Sequence, residues 1–350
     1  MTISGTFDLV DLTPERAFRI SRGTTEVQSV AMVRLEDEAG NVGYGCGAPS
    51  EYYGESSETL ERSMPELIEV AESIDDPFAT WTLSQRLAAE TQGSEPAARA
   101  ALDIAFYDLV STRVGAPLYR YLGFGGEHTL RSSYTIGIDA PEEMAAHASE
   151  AIERGYDVLK VKLGTDTDIE RTTAIRAAAP DATIRVDANA AWDVDGALTR
   201  IGQLDDLGIE FVEQPLPAED IDGLKTLYEE SPLPIAVDEG CVTAEDVPTV
   251  ADRSDIVVVK LMKTGGIRGA LDQIVTARSH GCAVMLGCML ESAASISGAA
   301  HLTPLASYAD LDGALLVGDD PYTTSAMEEV EIRLNPSMPA GSGVRKDTSI

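Results

Sequence analysis

The chain is short of lysine, of basic charge in general and of aromatic side chains, which make up 5% of its 350 residues. Lysine and arginine number 26 against 59 aspartates and glutamates, so the formal net charge is -33 at pH 7. Because phosphate binding needs a basic surface, we expect no nucleic-acid partner. The acidity predicts adaptation to high salt, where counterions screen the repulsion between carboxylates; an ordinary acidic enzyme is the alternative.

Long apolar runs and clustered cysteines are also missing. No apolar run approaches the roughly 20 residues of a membrane-spanning helix, so we expect no membrane partner. The first residues, MTISGTFDLVDL, lack the basic stretch and long apolar run of a secretory signal, which favours a cytoplasmic protein. The four cysteines match no zinc-binding spacing, and we expect them to be buried and reduced.

Residues 1–128 predict a small α+β domain. The first 50 or so residues alternate polar and apolar, with a turn at EAGN, as in two antiparallel strands. Residues 56–113 have helical periodicity, and the segment GSEPAARAALDIAFYDLV carries one apolar stripe. Ser94 is expected to cap that helix, since Pro96 suits its first turn.

From about residue 129 to residue 320 the pattern changes to short β-branched runs, each followed by a helix-like segment. Eight strand candidates alternating with helices predict an α/β fold, a TIM-type barrel of seven or eight βα units. They are SYTIGI, VLKVKLG, TIRVDAN, IEFVEQP, PIAVDEG, DIVVVKL, AVMLGCM and YADLDG. Residues 321–350 are expected to leave the barrel and pack back on the N-terminal domain.

Five charged residues stand at the ends of predicted strands. They are Lys162, Asp187, Glu213, Asp238 and Lys260, at intervals of 25, 26, 25 and 22 residues. Each interval is one βα unit, and a barrel gathers the carboxyl ends of all its strands around one mouth. We therefore expect the five side chains to share one site.

The three carboxylates of this set predict a metal site. Converging carboxylates repel one another unless a cation lies among them, and oxygen-only ligands favour Mg²⁺ over zinc. The alternative, in which Asp187, Glu213 and Asp238 each cap the following helix, is common for one residue but not for three in consecutive units.

The lysines predict acid–base chemistry. The chain has only six lysines, yet Lys160 and Lys162 lie on the same side of one strand, where each is expected to lower the other's pKa. Lys260 ends the sixth strand, on the opposite side of the barrel. One lysine could remove the proton α to a carboxylate, with Mg²⁺ stabilising the enediolate, and the other could return a proton to the opposite face.

These segments resemble the enolase superfamily, in its muconate-lactonizing-enzyme subgroup, over nearly the whole chain. The resemblance is carried by KVK, VDANAAW, EFVEQPL, VDEG, VKLMKTGGI and GCMLESAASISGAAH. It implies that the N-terminal domain and the C-terminal tail form a capping domain on the barrel. It also implies a homo-oligomer, because the subgroup is often oligomeric.

The resemblance implies roles for the residues at the mouth, with Mg²⁺ as cofactor. Lys162 and Lys260 would be the acid/base pair, and Lys160 would support Lys162. Asp187, Glu213 and Asp238 would bind the metal, and Asn189 and Glu239 would hold these ligands in place.

The subgroup contains cycloisomerases, o-succinylbenzoate synthases, N-succinylamino acid racemases and dipeptide epimerases, among which the fold does not choose. Asp310 and Asp312, in YADLDG, lie on the same side of the eighth strand and invite a cation, such as the α-ammonium of a dipeptide. An N-acylamino acid carboxylate has no such charge. The alternative is that Asp310 and Asp312 are loop carboxylates that bind no ligand.

We therefore predict a dipeptide epimerase of the L-Ala-D/L-Glu epimerase type, which converts L-Xaa-L-Xaa to L-Xaa-D-Xaa. Thr135 and Glu291 are further candidate substrate-binding residues. Arg22 could pair with an acidic second residue of the dipeptide, or could be an ordinary ion-pair partner in this acidic chain. A sister enzyme of the subgroup and a non-catalytic barrel remain as alternatives.

Overall fold

The computed structural model describes residues 1–329 and 331–347; residues 330 and 348–350 of the predicted tail lie outside this part. The N-terminal strands are β1 (Ile3–Leu12), β2 (Phe18–Ile20), β3 (Gly23–Thr25), β4 (Gln28–Asp37) and β5 (Val42–Gly47). They are followed by helices α1 (Ser57–Glu72), α2 (Thr80–Glu90), α3 (Pro96–Arg113) and α4 (Leu118–Tyr121), and by strand β6 (His128–Arg131).

Strands and helices alternate in the central part. The strands are β7 (Tyr134–Ile136), β8 (Val158–Lys162), β9 (Thr183–Asp187), β10 (Ile209–Glu213), β11 (Ile235–Val237), β12 (Ile256–Lys260), β13 (Ala283–Gly287) and β14 (Tyr308–Asp310). The helices are α5 (Pro141–Glu153), α6 (Asp168–Ala178), α7 (Val194–Asp206), α8 (Ile221–Glu230), α9 (Val247–Val250), α10 (Leu261–Thr264), α11 (Ile267–Ser279) and α12 (Ala293–Ala300).

The tail contains β15 (Tyr322–Thr324), β16 (Met327–Glu328), β17 (Glu331–Leu334) and β18 (Val344–Lys346). Strand β15 pairs with β18, and β17 pairs with both β16 and β6. Within the described residues, no helix is both long and apolar enough to cross a membrane.

The eight strands β7 to β14 form one parallel sheet in sequence order. Its first and last strands meet, because the backbone N–H of Ser133 donates to the carbonyl of Ala309 at 3.0 Å and Ser132 bridges the same residue. All eight predicted strands are present, and the prediction of a TIM-type barrel with a separate α+β domain is confirmed.

Glycines in β5 let the N-terminal sheet lie directly on α3. Gly43, Gly45 and Gly47 alternate along VGYGCG and so point to one side. A Cβ on Gly45 would lie 2.1 Å from the carbonyl oxygen of Ala101, so no larger residue fits there. This contact and the alanines of α3 bury the helix almost all round.

The expected cap at Ser94 is wrong. Glu95, with φ at 55°, occupies the cap position of α3, and the Ser94 hydroxyl donates to the carbonyl of Thr91 at 2.6 Å. The hydroxyl therefore satisfies the end of the preceding turn, which competes with capping for the same side chain.

His301, directly after α12, is fully buried and links α4 to the tail. Its Nδ1 accepts the backbone N–H of Tyr119 at 3.0 Å, so its Nε2–H donates to the carbonyl of Ser342 at 2.9 Å. Both ring nitrogens are used, which requires a neutral ring, and burial lowers the pKa of His301 to about 4.

Lowering the pH from 8 to 5 is therefore expected to destabilise the fold at His301. The unfolded chain takes up a proton near pH 6.5, whereas the folded ring stays neutral down to about pH 4. The stability contribution is fully present above pH 6.5 and falls by about 2 kcal/mol by pH 5. His301→Gln, whose amide can accept and donate in the same way, should lose this part of the pH dependence, measured by urea unfolding.

The matched control is His280→Gln, on an exposed ring, which should keep the wild-type pH dependence. Buried carboxyls act in the opposite sense: burial raises the pKa of Asp103 to about 7, so acid favours its folded form. Such contributions are common to both proteins and cancel in the comparison. Identical pH dependence of wild type and His301→Gln would contradict the assignment.

Candidate active site

A cavity of about 830 Å³ lies between the barrel mouth and the N-terminal domain. Its roof is formed by the hairpin of β2 and β3 and by residues 49–58, and its floor by the ends of the barrel strands. Gly164 allows the hairpin to approach the barrel, since a Cβ there would lie 2.7 Å from the Cβ of Ser21. The two units therefore enclose one site.

Lys162 and Lys260 both line this cavity. They end β8 and β12, which are four strands apart in the eight-stranded sheet and so lie on opposite sides of the barrel. The Nζ of Lys162 lies 2.7 Å from Asp187 Oδ2, and the Nζ of Lys260 lies 2.6 Å from Asp238 Oδ2. A Cβ on Gly287 would lie 3.1 Å from Lys260 Cε, so this glycine leaves room for the lysine.

Lys160 lies deeper in the barrel and is 1% exposed. Its Nζ contacts Glu213 Oε2 at 2.7 Å, Asp310 Oδ2 at 2.8 Å and Asp187 Oδ2 at 3.3 Å. Burial acts to lower the pKa of Lys160, but these carboxylates outweigh it and hold the pKa well above its usual value. The expectation that its pKa is lowered is therefore wrong, because carboxylates rather than Lys162 dominate its surroundings.

The three predicted metal ligands are all buried at the mouth. No group of three or more histidines, cysteines, aspartates or glutamates in residues 1–329 and 331–347 is arranged so that it could hold a metal ion. Ammonium groups occupy the carboxylate oxygens instead, Lys162 on Asp187 and Lys260 on Asp238. A metal ion would have to take these oxygens from the lysines.

The chemistry of the donor set nevertheless fits Mg²⁺. Burial first, and then the negative charge of Asp187 close by, raise the pKa of Glu213 to about 8. Glu213 Oε2 is buried and, although within ion-pair distance of Lys160, has no hydrogen-bond partner. A divalent cation would relieve the repulsion among the carboxylates, and hard carboxylate oxygens are the ligands that Mg²⁺ prefers.

Asp310 and Asp312 both line the cavity, but their surroundings differ. Asp310 is ion-paired with Lys160 and accepts the hydroxyl of Ser133. Asp312 accepts the backbone N–H of Thr135 at 2.6 Å and its hydroxyl at 3.2 Å, and no cation in the described part of the chain pairs with it. Burial and the charge of Asp310 raise the pKa of Asp312 to about 7, and a substrate cation beside it would favour its charged form.

Arg22 reaches from the β2–β3 hairpin to the barrel loops. Its Nη2 lies 2.7 Å from Glu239 Oε1, its Nη1 donates to the carbonyl of Asn189 at 2.8 Å, and its guanidinium covers the ring of Tyr52 at 4.7 Å. The structure favours the alternative in which Arg22 is an ion-pair partner. Asn189 in turn donates its backbone N–H to Asp187 Oδ1 at 2.8 Å.

Glu291 and Cys288 come from the loop after β13. Glu291 is 3% exposed and accepts the backbone N–H of Met289 and the hydroxyl of Ser295, so it serves its own loop and does not line the cavity. Cys288 lines the cavity and is half-buried, which corrects the expectation that all four cysteines are buried. The other three are buried, and all four are free thiols.

Two residues that the sequence left without a role hold Asp238 in place. Lys263 is 1% exposed, and its Nζ donates to Asp238 Oδ1 at 2.7 Å and to the carbonyls of Asp238, Cys241 and Val258. Gln214, with φ at 36°, accepts the backbone N–H of Asp238 at 2.9 Å. The scarcity of lysine was a signal for Lys263, whereas nothing local marks Gln214.

Two family models match this chain. Residues 5–123 match the N-terminal domain of mandelate racemase / muconate lactonizing enzyme, and residues 143–347 match the enolase C-terminal domain-like family. Together they cover most of the chain, including the barrel strands that carry the lysines and carboxylates.

Individual relatives are similar over nearly the whole length. An L-Ala-D/L-Glu epimerase of Escherichia coli (strain K12) is 39% identical over 85% of this chain and 88% of its own. A crystal structure of a dipeptide epimerase from Enterococcus faecalis V583, complexed with Mg and L-Leu-L-Tyr, has a TM-score of 0.92 at 34% identity, covering 98% and 99% of the two chains. An N-succinyl Arg/Lys racemase from Bacillus cereus also has a TM-score of 0.92, at 28% identity over 100% and 96%.

Proposed function

The chain belongs to the mandelate racemase / muconate lactonizing enzyme family of the enolase superfamily, and on this premise we propose that it is a Mg²⁺-dependent isomerase that epimerises dipeptides. Relatives that are 39% and 36% identical are named L-Ala-D/L-Glu epimerase and hydrophobic dipeptide epimerase, and the structural neighbour from Enterococcus faecalis was crystallised with Mg and a dipeptide. The reaction would convert L-Xaa-L-Xaa to L-Xaa-D-Xaa.

One observation carries the two-base chemistry: Lys162 and Lys260 line the same cavity from opposite sides of the barrel. One lysine, as the free amine, would take the α-proton of the C-terminal residue, and the electrons of the C–H bond would move into the adjacent carboxylate. The other lysine, as the ammonium, would return a proton to the opposite face, which inverts the carbon. Lys160 would stay charged beneath Lys162.

Asp187, Glu213 and Asp238 would hold Mg²⁺, which supplies positive charge where negative charge develops on the substrate carboxylate. Both lysines are ion-paired with one of these carboxylates in the arrangement described. Each must therefore leave its aspartate to reach a substrate.

The choice of a dipeptide is supported by Asp312, a buried carboxyl without a cationic partner in the described part of the chain. The α-ammonium of a dipeptide would supply that partner, with Asp310 beside it and the Thr135 hydroxyl shared between them. An N-succinylamino acid carries a carboxylate at this end instead, which two aspartates would repel.

The test is exchange of the α-proton in D₂O with Mg²⁺, followed by NMR, for a set of L,L-dipeptides and for N-succinylamino acids. Dipeptides are expected to exchange and to form the L,D-isomer, and N-succinylamino acids are not. Turnover of N-succinylamino acids alone would identify a racemase of the subgroup, and exchange with neither class would favour a cycloisomerase, a synthase or a non-catalytic barrel.

We also propose a cytoplasmic protein of a cell with high internal salt, without nucleic-acid or membrane partners and assembled as a homo-oligomer. The chain has 59 acidic and 26 basic residues, which supports a cell with high internal salt. An acidic surface stays hydrated there, because salt screens the repulsion between its charges.

A further inference from the structure

The roof of the cavity is strongly acidic. Glu26 from the loop after β3, Glu51 from the segment before α1 and Glu58 from the first turn of α1 line the cavity and are exposed. Among the described residues that line it, Arg22 is the single basic residue of the N-terminal domain. A substrate side chain that points to the roof therefore meets three exposed carboxylates, the buried carboxyl of Glu55 and one guanidinium.

The guanidinium of Arg22 already has an ion-pair partner. Arg22 is ion-paired with Glu239, whose side chain is 2% exposed and whose second oxygen, Oε2, is buried without a hydrogen-bond partner. A substrate carboxylate that approaches Arg22, whose side chain is 35% exposed, has to compete with the buried carboxylate of Glu239 for the guanidinium. Weakening the ion pair of a buried carboxylate is unfavourable, so the contact with Glu239 lowers the affinity of Arg22 for a second carboxylate.

The two cations on the floor of the cavity also have partners. Lys162 is ion-paired with Asp187 and Lys260 with Asp238, and both lysines are proposed to transfer the proton at the α-carbon of the substrate. No other lysine or arginine among the described residues lines the cavity. An acidic side chain on the substrate would meet several carboxylates, and the cations of the described lining are already ion-paired.

We infer that the enzyme acts on dipeptides that carry a cationic side chain, lysine or arginine, and discriminates against those that carry glutamate or aspartate. The inference rests on the proposed dipeptide epimerisation and names its substrate class. Glu26, Glu51 and Glu58 are the specificity-determining residues, because they attract the cation at the roof while Arg22 is held by Glu239.

The first measurement ranks substrates by kcat/KM for α-proton exchange, at a salt concentration at which circular dichroism shows the fold intact. The substrates are L-Ala-L-Lys, L-Ala-L-Leu and L-Ala-L-Glu, with L-Lys-L-Ala and L-Glu-L-Ala to cover the other position. Exposed charge contacts are individually weak, but three acting together should give lysine at least about a tenfold advantage over glutamate at the favoured position.

The second measurement uses variants. Glu51→Gln combined with Glu58→Gln should raise KM for the lysine dipeptide about tenfold, with little change for L-Ala-L-Leu, and should reduce the dependence of that KM on NaCl. Glu66→Gln is the matched control, because Glu66 is exposed on the same helix α1 but does not line the cavity. It should leave the substrate ranking unchanged.

The outcomes separate the two proposals. If L-Ala-L-Leu or L-Ala-L-Glu is used as well as the lysine dipeptides, or better, the inference is wrong while dipeptide epimerisation stands. An unchanged ranking in the double variant would also overturn it. If no dipeptide exchanges its α-proton, the proposed function fails, and the inference fails with it.

Discussion

Epimerisation will be lost when either Lys162 or Lys260 is replaced by methionine or alanine. A positioned acid or base contributes about 100- to 10,000-fold to a rate, and each direction of this reaction needs one lysine as base and the other as acid. With one lysine gone, the remaining lysine can still remove the proton from one stereoisomer and return deuterium to the same face. The two variants should therefore exchange the α-proton without inversion, each from a different isomer.

The measurement starts from the L,L- and the L,D-dipeptide separately in D₂O and follows both exchange and inversion by NMR. Methionine preserves most of the volume of the buried lysine stem, and circular dichroism shows whether each variant is folded. Lys225→Met is the matched control, because Lys225 lies on α8 with its side chain 48% exposed. Wild-type inversion in a folded Lys162 or Lys260 variant would refute the two-base assignment.

Removing Mg²⁺ will abolish turnover, and Glu213→Gln will abolish Mg²⁺ binding. In the wild type, a chelator that removes Mg²⁺ should increase the repulsion among the three buried carboxylates. Mg²⁺ present at 100 times its Kd should stabilise the folded protein by about 2.7 kcal/mol, because it binds the folded state and not the unfolded one. Glu213 is the sharpest single test, because it is fully buried and its ion-pair partner is Lys160, which is not one of the two proposed bases. The glutamine keeps its shape but offers a neutral ligand.

Thermal unfolding with and without MgCl₂ reads out this binding independently of activity. The wild type should shift its Tm upward and Glu213→Gln should not, while Glu229→Gln, on a side chain 63% exposed on α8, should shift like the wild type. A chelated enzyme that still exchanges α-protons, or an equal Mg²⁺-dependent shift in Glu213→Gln, would show that these carboxylates do not hold the metal.

Local periodicity made the barrel predictable. A parallel strand buried on both sides is a short apolar run, and the eight runs found in the sequence are the eight strands β7 to β14. Because the carboxyl ends of such strands meet at one mouth, the spacing of Lys162, Asp187, Glu213, Asp238 and Lys260 was enough to place them together. The membership of the enolase superfamily follows from the same segments and is confirmed by the family models.

Pairings between distant segments were not predictable in this way. The sequence offered Asp310 and Asp312 as equivalent partners for a cation, yet in the structure Lys160, 150 residues away, takes Asp310 and leaves Asp312 unpaired. The period-2 pattern predicts on which side of a strand a residue lies. It does not predict which of several charged side chains comes within 3 Å of that residue.

The amino-acid sequence alone determined the eight-stranded barrel and the mouth that gathers lysines and carboxylates, because these depend on the period of a strand and the length of a βα unit. It also determined the acidic character of the protein, which depends only on the sum of the charges. Only the tertiary structure decided which charges neutralise each other: Arg22 with Glu239, Lys263 with Asp238, and Lys160 with Asp310. Ion pairing depends on distances of a few ångströms between elements that are far apart in the chain, and these distances exist only once the barrel closes beneath the N-terminal domain.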